Sequence, residues 1–325
     1  MAAMTNRSKK NLAIILVLIL LAAAGYLYYS TSSNNKATNL NNAPTTSAPA
    51  AKPQASTTSK QAAAIEHIFI IMDENQPASY VIGNPQAPYI NSLIKQSALA
   101  TNYSGVTHPS LPNYLALTSG STDGITTDCN PPSAGCIVNV KNIADLVAGS
   151  GRSWKEYAES MPSSCYQFNA GNYATKHNPF VYYSDIVNNR QLCAAHVVPY
   201  SQLAIDLKSV STTPNFAFIT PNLCNDMHNC GLSAGDSWLA ANVPAILNSP
   251  AFTSSRSLLV ITWDEGNASN NNVATIFTGN AAKSGFQTNQ AFNHYSLLHT
   301  IEQLWGLPSL TANDHNAPVM TSMLR

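Results

Sequence analysis

Charge is scarce in this 325-residue chain: Asp, Glu, Lys and Arg make up 10% of it, sixteen basic residues against sixteen acidic ones. Nucleic-acid binding needs a concentrated positive surface, and this balance supplies none. Six cysteines are present but no C-x-x-C spacing, which argues against a zinc site of the ribbon or finger kind. The one G-x-S-x-G string, Gly231 to Gly235, follows a polar loop and not a strand, so it is not the strained elbow on which a metal-free serine hydrolase presents its nucleophile. His108 stands two residues from Ser110, but closeness in sequence does not make a triad. No internal repeat is visible, which removes solenoids and propellers.

What is present divides the chain into three parts. Residues 1–29 carry Arg7, Lys9 and Lys10, then an uncharged apolar run from Leu12 to Tyr29. About 20 apolar residues cross a bilayer as a helix, and basic residues ahead of such a run send the remaining chain outward. A cleaved signal peptide is the rival reading, and the small residues Ala22 to Gly25 offer a cut. The run continues through Tyr26, Leu27, Tyr28 and Tyr29, so an uncleaved membrane anchor is preferred, with secretion as the alternative. Residues 30–64 are Ser, Thr, Asn, Ala and Pro with little to bury, and they read as a flexible tether. Residues 65–325 then form the folded domain outside the cytoplasm, where disulfides persist. Six cysteines allow as many as fifteen pairings. Nearness in sequence suggests Cys129 with Cys136 and Cys224 with Cys230, leaving Cys165 with Cys193.

Within that domain "HIFIIMDEN", "NFAFITPN", "SLLVITWDEG" and "NVATIFTGN" are short apolar, β-branched runs that stop on polar residues. Between them "APYINSLIKQSA", "VKNIADLVAGS", "DSWLAANVPAIL" and "HYSLLHTIEQLWGL" carry apolar residues at helical spacing. Alternating strands and helices indicate an α/β fold around a mostly parallel sheet. Ligands of such sheets gather beyond the carboxyl ends of the strands. Those ends read Asp73-Glu74-Asn75, Thr220-Pro221-Asn222 and Asp264-Glu265. Two strands thus bring carboxylates to one edge. Clustered carboxylates repel one another unless a cation sits among them, and hard oxygen ligands suit Mg²⁺, Ca²⁺, Mn²⁺ or Zn²⁺. The plainer alternative is solvated strand ends and helix caps; Asp73 reads as a strand cap and Asp236 as the N-cap of "SWLAANV".

The stretch "VTHPSLPNYLALTSG" places Ser110 between two prolines at the mouth of a helix. Each proline locks its own φ and restricts the residue before it. A hydroxyl held there is either a helix cap or a nucleophile facing an anion site. Beside a cation its pKa falls, and it can attack a polarised phosphorus.

"MDENQPASY", "THPSLPNYLALTSG", "PNLCNDMH", "AGDSWL", "ITWDEG" and "NHYSLLHTIEQLWGL" follow one another in an order that resembles the phosphoesterase family. That family holds acid phosphatases and phosphatidylcholine-hydrolysing phospholipases C, within the alkaline phosphatase superfamily. The resemblance covers nearly all of residues 65–324 and implies a three-layer sandwich with a central, mostly parallel sheet. It implies that Glu74, Asn75, Asp264 and Glu265 bind a divalent metal ion of open identity and number. It also implies that Ser110 is the nucleophile that becomes phosphorylated and that Asn113 helps hold the phosphoryl oxygens. Where other superfamily members carry Asp-His, this chain has Asp264-Glu265.

Asp226, His228 and His294 loosely match residues that either bind a second metal or act on substrate. In the latter reading His228 donates a proton to the leaving group, while Asp226 and His294 bind substrate. His108 either assists phosphate binding or braces the turn. His67, His177, His196, His299 and His315 receive no role. The expectation is a membrane-tethered, extracytoplasmic phosphomonoesterase acting through a phosphoserine on a phosphorylated small molecule or a phospholipid headgroup. A phospholipase C-type phosphodiesterase is the alternative, disfavoured because the chain ends soon after "LWGLPSL". An inactive surface-binding module is a second alternative, against which the intact set of acids and serine argues.

Overall fold

The computed structural model describes residues 64–325. The basic N-terminus, the anchor-or-signal run and nearly all of the tether lie outside the described residues. Among the described residues no helix is long and apolar enough to cross a membrane.

Nine strands form one sheet. They are β1 (His67–Asp73), β2 (Ala98–Ser104), β3 (Trp154–Ala158), β4 (Val197–Pro199), β5 (Phe216–Thr220), β6 (Ser257–Trp263), β7 (Asn272–Thr278), β8 (Phe286–Thr288) and β9 (Phe292–Asn293). The principal helices are α1 (Pro88–Gln96), α2 (Ser110–Ser119), α3 (Ile143–Gly149), α4 (Arg190–His196), α5 (Leu232–Leu247) and α6 (His294–Trp305). The order across the sheet is β4-β3-β5-β1-β6-β7-β2-β8, with β9 beside β2. Neighbours run parallel except at β7, which is antiparallel to both β6 and β2.

All seven residues of β1 are buried, as are those of β5 and β6 on either side. A strand without polar alternation belongs where both faces are covered, so the α/β reading holds. Helices pack in pairs, α2 with α6 and α1 with α5. The run "NVATIFTGN" is the antiparallel β7. Helix α6 opens on a capping box in which Asn293 accepts the N–H of Ser296, and it stops at Gly306 with φ 64°.

The cap expected of Asp236 belongs to a different helix. Helix α5 already begins at Leu232, which places Asp236 inside it and buried. Its carboxylate reaches α1 instead, accepting the N–H groups of Ile90 at 2.8 Å and Tyr89 at 3.2 Å. Helix α1 begins with Pro88 and has no side-chain cap from its own N-cap residue, Ala87, so Asp236 answers donors left open at its first turn. The disulfides are Cys129–Cys136, Cys165–Cys193 and Cys224–Cys230, as nearness in sequence suggested.

Candidate active site

Strands β1 and β6 lie side by side with Asp73 opposite Trp263, so the residues that follow them meet. The Asp264 N–H donates to the Asp73 carbonyl at 3.0 Å. Asn75 turns with φ 56°, a left-handed conformation that asparagine tolerates better than most residues. Its N–H then donates to Asp264 Oδ1 at 3.0 Å. The chain after β2 closes over this point at Gly105, where a Cβ would come within 2.7 Å of the Asp264 carbonyl oxygen. Glu74, Asn75, Asp264 and Glu265 are thereby brought together.

Ser110 is the first residue of α2 and is 1% exposed. Its hydroxyl donates to Glu74 Oε2 at 3.0 Å. Asn113 steadies the turn before it: Oδ1 accepts the N–H groups of Val106 and Thr107 at 2.8 and 3.1 Å. Its Nδ2 lies 2.9 Å from the Thr107 carbonyl, 3.2 Å from that of Pro109 and 3.2 Å from Glu265 Oε2. The amide is fully committed to the turn and to Glu265. His108 leans on the same carboxylate, with Nδ1 2.7 Å from Glu265 Oε2.

Glu74 is fully buried and collects three donors. Besides Ser110 these are Asn75 Nδ2 at 2.8 Å and the Tyr114 hydroxyl at 2.6 Å. Burial works to raise its pKa, but the charge and close contact of His177, the charge of Lys176 and the Tyr114 bond outweigh it and hold the group at about 2. Burial and the charges of Glu74 and Glu265 push Asp264 well above the usual carboxylate range. Burial, Glu74 and Asp128 push Glu265 up to about 8. Asp264 Oδ2, Asp226 Oδ2 and both oxygens of Asp73 are buried without a hydrogen-bond partner. Asp73 is therefore no simple strand cap. Buried acceptors without donors, crowded by like charge, fit a site that takes a cation. The oxygens of Glu74, Asn75, Ser110, Asp264 and Glu265 are the donor set available to it.

His177 had no role in the sequence reading, and the structure puts it at the centre. It ends a short 3₁₀ turn, Thr175–His177, in the connection from β3 to β4. Its ring stacks on Tyr114, with centroids 5.6 Å apart and planes 7° from parallel. Nδ1 lies 3.0 Å from Asp226 Oδ2 and Nε2 lies 3.1 Å from Glu74 Oε1. Neither Nε2 nor Asp226 Oδ2 is well directed for a hydrogen bond, so these are ion-pair contacts. Burial works to lower the pKa of His177, but the two carboxylates carry it up to about 9. Ligand atoms of Glu74, His177 and His228 all lie within 4.8 Å of one another, a second place where a cation has donors. The surrounding "ATKHNP" is a polar turn with no strand end or repeat, so no local signal marked it.

Asp226 is buried, and its carbonyl accepts the Glu74 N–H at 2.8 Å. Its Oδ1 accepts the N–H of His228 at 2.8 Å. Burial raises its pKa. His228 stands exposed at the rim, inside the Cys224–Cys230 loop, with Nε2 3.2 Å from Lys176 Nζ. His294 does not join this group. It is fully buried, with Nδ1 2.9 Å from the Tyr103 hydroxyl and Nε2 2.6 Å from the Asp264 carbonyl oxygen. Burial lowers its pKa to about 4, so the neutral ring braces the end of β6 and has no nitrogen left for substrate. The substrate contact expected of it is corrected accordingly.

The pattern of the Phosphoesterase family matches residues 83–308. The chain is 35% identical over 259 residues to the phosphatidylinositol-3-phosphatase of Mycobacterium tuberculosis, covering 79% of this chain and 82% of that one. The chain belongs to the phosphoesterase family. This phosphoesterase is also 33% identical over 242 residues to an acid phosphatase of Aspergillus fumigatus, covering 70% of its own length and 53% of the fungal protein. It thus spans about half of that relative. In fold it is similar to an alkaline phosphatase superfamily protein from Vibrio parahaemolyticus, with a TM-score of 0.57 at 12% identity over 79% of this chain and 71% of that one. The phosphoesterase is a hydrolase acting on phosphate esters.

Proposed function

We propose that this phosphoesterase cleaves phosphate monoesters through a phosphoserine at Ser110, with the help of a divalent cation, on the outer side of a membrane to which residues 1–29 anchor it. The observation that carries the reading is the 3.0 Å bond from the Ser110 hydroxyl to Glu74 Oε2 at the meeting point of two acidic strand ends. Ser110 Oγ forms a bond to phosphorus as the bond from phosphorus to the leaving oxygen breaks. The proton that the Ser110 hydroxyl gives up passes to solvent, and the leaving oxygen takes one back through His228 at the rim, whose Nε2 accepts from Lys176 in the resting site. Water then attacks the phosphoserine, releasing phosphate and restoring the hydroxyl. Glu74 orients the hydroxyl, but a carboxylate held at about 2 is a weak base for its proton. A cation held by Glu74, Asn75, Ser110, Asp264 and Glu265 would supply the missing acidification and draw charge from the phosphoryl oxygens. Asn113 and His108 keep Glu265 and the serine turn in place.

The relatives' names, acid phosphatase and phosphatidylinositol-3-phosphatase, favour a monoester on a small molecule or a lipid headgroup over a phospholipase C reaction. The test is turnover of p-nitrophenyl phosphate by the full chain. Stripping divalent cations is expected to abolish it, and one of Mg²⁺, Mn²⁺, Ca²⁺ or Zn²⁺ to restore it. Undiminished turnover in cation-free protein would contradict the metal-dependent reading.

A further inference from the structure

We propose that Lys176 selects phosphate monoesters over diesters in this site, its ammonium binding the phosphoryl oxygen that a diester has esterified. The proposal rests on the reading that Ser110 attacks phosphorus. A monoester dianion brings two negative charges and three non-bridging oxygens; a diester brings one charge and two such oxygens. Around Ser110 stand Glu74, Asp264 and Glu265, so the extra charge of a monoester is penalised unless the protein offsets it.

Two side-chain cations lie here. His177 is 3% exposed and closed in between Glu74 and Asp226. Lys176, its chain neighbour, is differently placed. Its Nζ lies 3.0 Å from Asp128 Oδ2 and 3.2 Å from His228 Nε2. An ammonium has three N–H groups, so one remains for a ligand. The other oxygen of Asp128 accepts the N–H of Leu111 at 3.2 Å, and Leu111 follows Ser110. His228 shares its cluster with Glu74, the acceptor of the serine hydroxyl. The ammonium is therefore tied on one side to the helix that Ser110 begins, and on the other it meets a histidine within 4.8 Å of the carboxylate that Ser110 touches. A second bond, Thr175 Oγ1 to Asn130 Oδ1 at 2.8 Å, fixes the two loops together. The Lys176 side chain is only 10% exposed, so its stem is packed and its charge is held before substrate arrives. A lysine that only joined two loops would have no need of the rim histidine.

The experiment measures kcat/KM of the full chain for p-nitrophenyl phosphate and for bis(p-nitrophenyl) phosphate, together with inhibition by inorganic phosphate. Lys176→Gln is expected to lower the monoester value by roughly 30-fold, the scale of one charge-assisted hydrogen bond, with little change for the diester. Inhibition by phosphate weakens by a similar factor, and Lys176→Arg recovers part of both. Asp128→Asn removes the ion pair but keeps an acceptor for the Leu111 N–H and keeps the ammonium, so monoester selection survives in it. Should the Gln variant fail to fold, Lys176→Met keeps the packed stem and carries the same test. Equal losses on both esters, or unchanged phosphate inhibition, overturn the proposal while Ser110 chemistry stands. Activity retained in Ser110→Ala would instead sink the reading beneath it.

Discussion

Glu74 and Glu265 are the same residue type, each just past the end of a central strand and each in reach of the serine turn. Their electrostatics are opposite. Glu74 has His177, Tyr114 and Lys176 about it and is held at about 2. Glu265 faces Glu74 and Asp128 from a buried position and is pushed up to about 8. The number of carboxylates at a sheet edge therefore does not set the charge of the site. What sets it is where the cations come from, and His177 comes from a distant connection.

The largest expected effect breaks the Glu74 side. Glu74→Gln removes the charge and one of the two acceptor oxygens, so the Ser110 and Tyr114 hydroxyls no longer each have one, and it leaves His177 with Asp226 alone. Breaking a buried ion pair from one side costs about 3–5 kcal/mol, so the melting temperature falls and phosphatase turnover drops to background. Thermal melts and a p-nitrophenyl phosphate assay check both; a variant of native stability would remove the ion pair from the account.

A smaller effect sharpens the Glu265 side. A carboxyl whose folded pKa is raised takes up a proton on folding, so its contribution is full at acid pH and is lost as pH rises towards about 8. Glu302, also pushed to about 8 by burial and Asp314, acts in the same direction. So does His177 as pH rises through about 9. His294, lowered to about 4 by burial, acts in the opposite direction, but only below about 6.5. Cation-free protein should therefore melt lower at pH 8 than at pH 6.5. Glu265→Gln, which mimics the protonated group, should flatten that slope, and so should an added divalent cation. A melting temperature that climbs over this interval would refute the assignment.

The smallest effect comes from a buried carboxylate remote from the chemistry. Asp236→Ala takes the cap from α1 and should cost about 1–2 kcal/mol in denaturant unfolding with turnover unchanged. Loss of turnover without loss of stability would tie Asp236 to the site after all.

What the sequence made legible is what short range determines. Unbroken apolar runs identified β1, β5 and β6, and polar residues at their ends located both acidic pairs. The prolines around Ser110 marked a fixed hydroxyl. Strand β2 was missed because Thr101 and Asn102 interrupt its apolar pattern, and the three-residue β4 is too short to show one. His177 and Lys176 were missed for a different reason: their meaning lies in contacts with Glu74, Asp226 and Asp128, 48 or more positions away in the chain. Asp236 shows the same limit, since its partners Tyr89 and Ile90 are 147 and 146 positions away.

The central claim is that the hydroxyl bonded to Glu74 is the group that takes the phosphoryl. Rapid acid quench of the full chain during turnover of a phosphate monoester, followed by peptide mass spectrometry, tests it directly. The account predicts phosphate on the peptide containing "THPSLPNY", located at Ser110 and absent from Ser110→Ala, which should be inactive though folded. Full activity of Ser110→Ala, or phosphate trapped only on another residue, would contradict it.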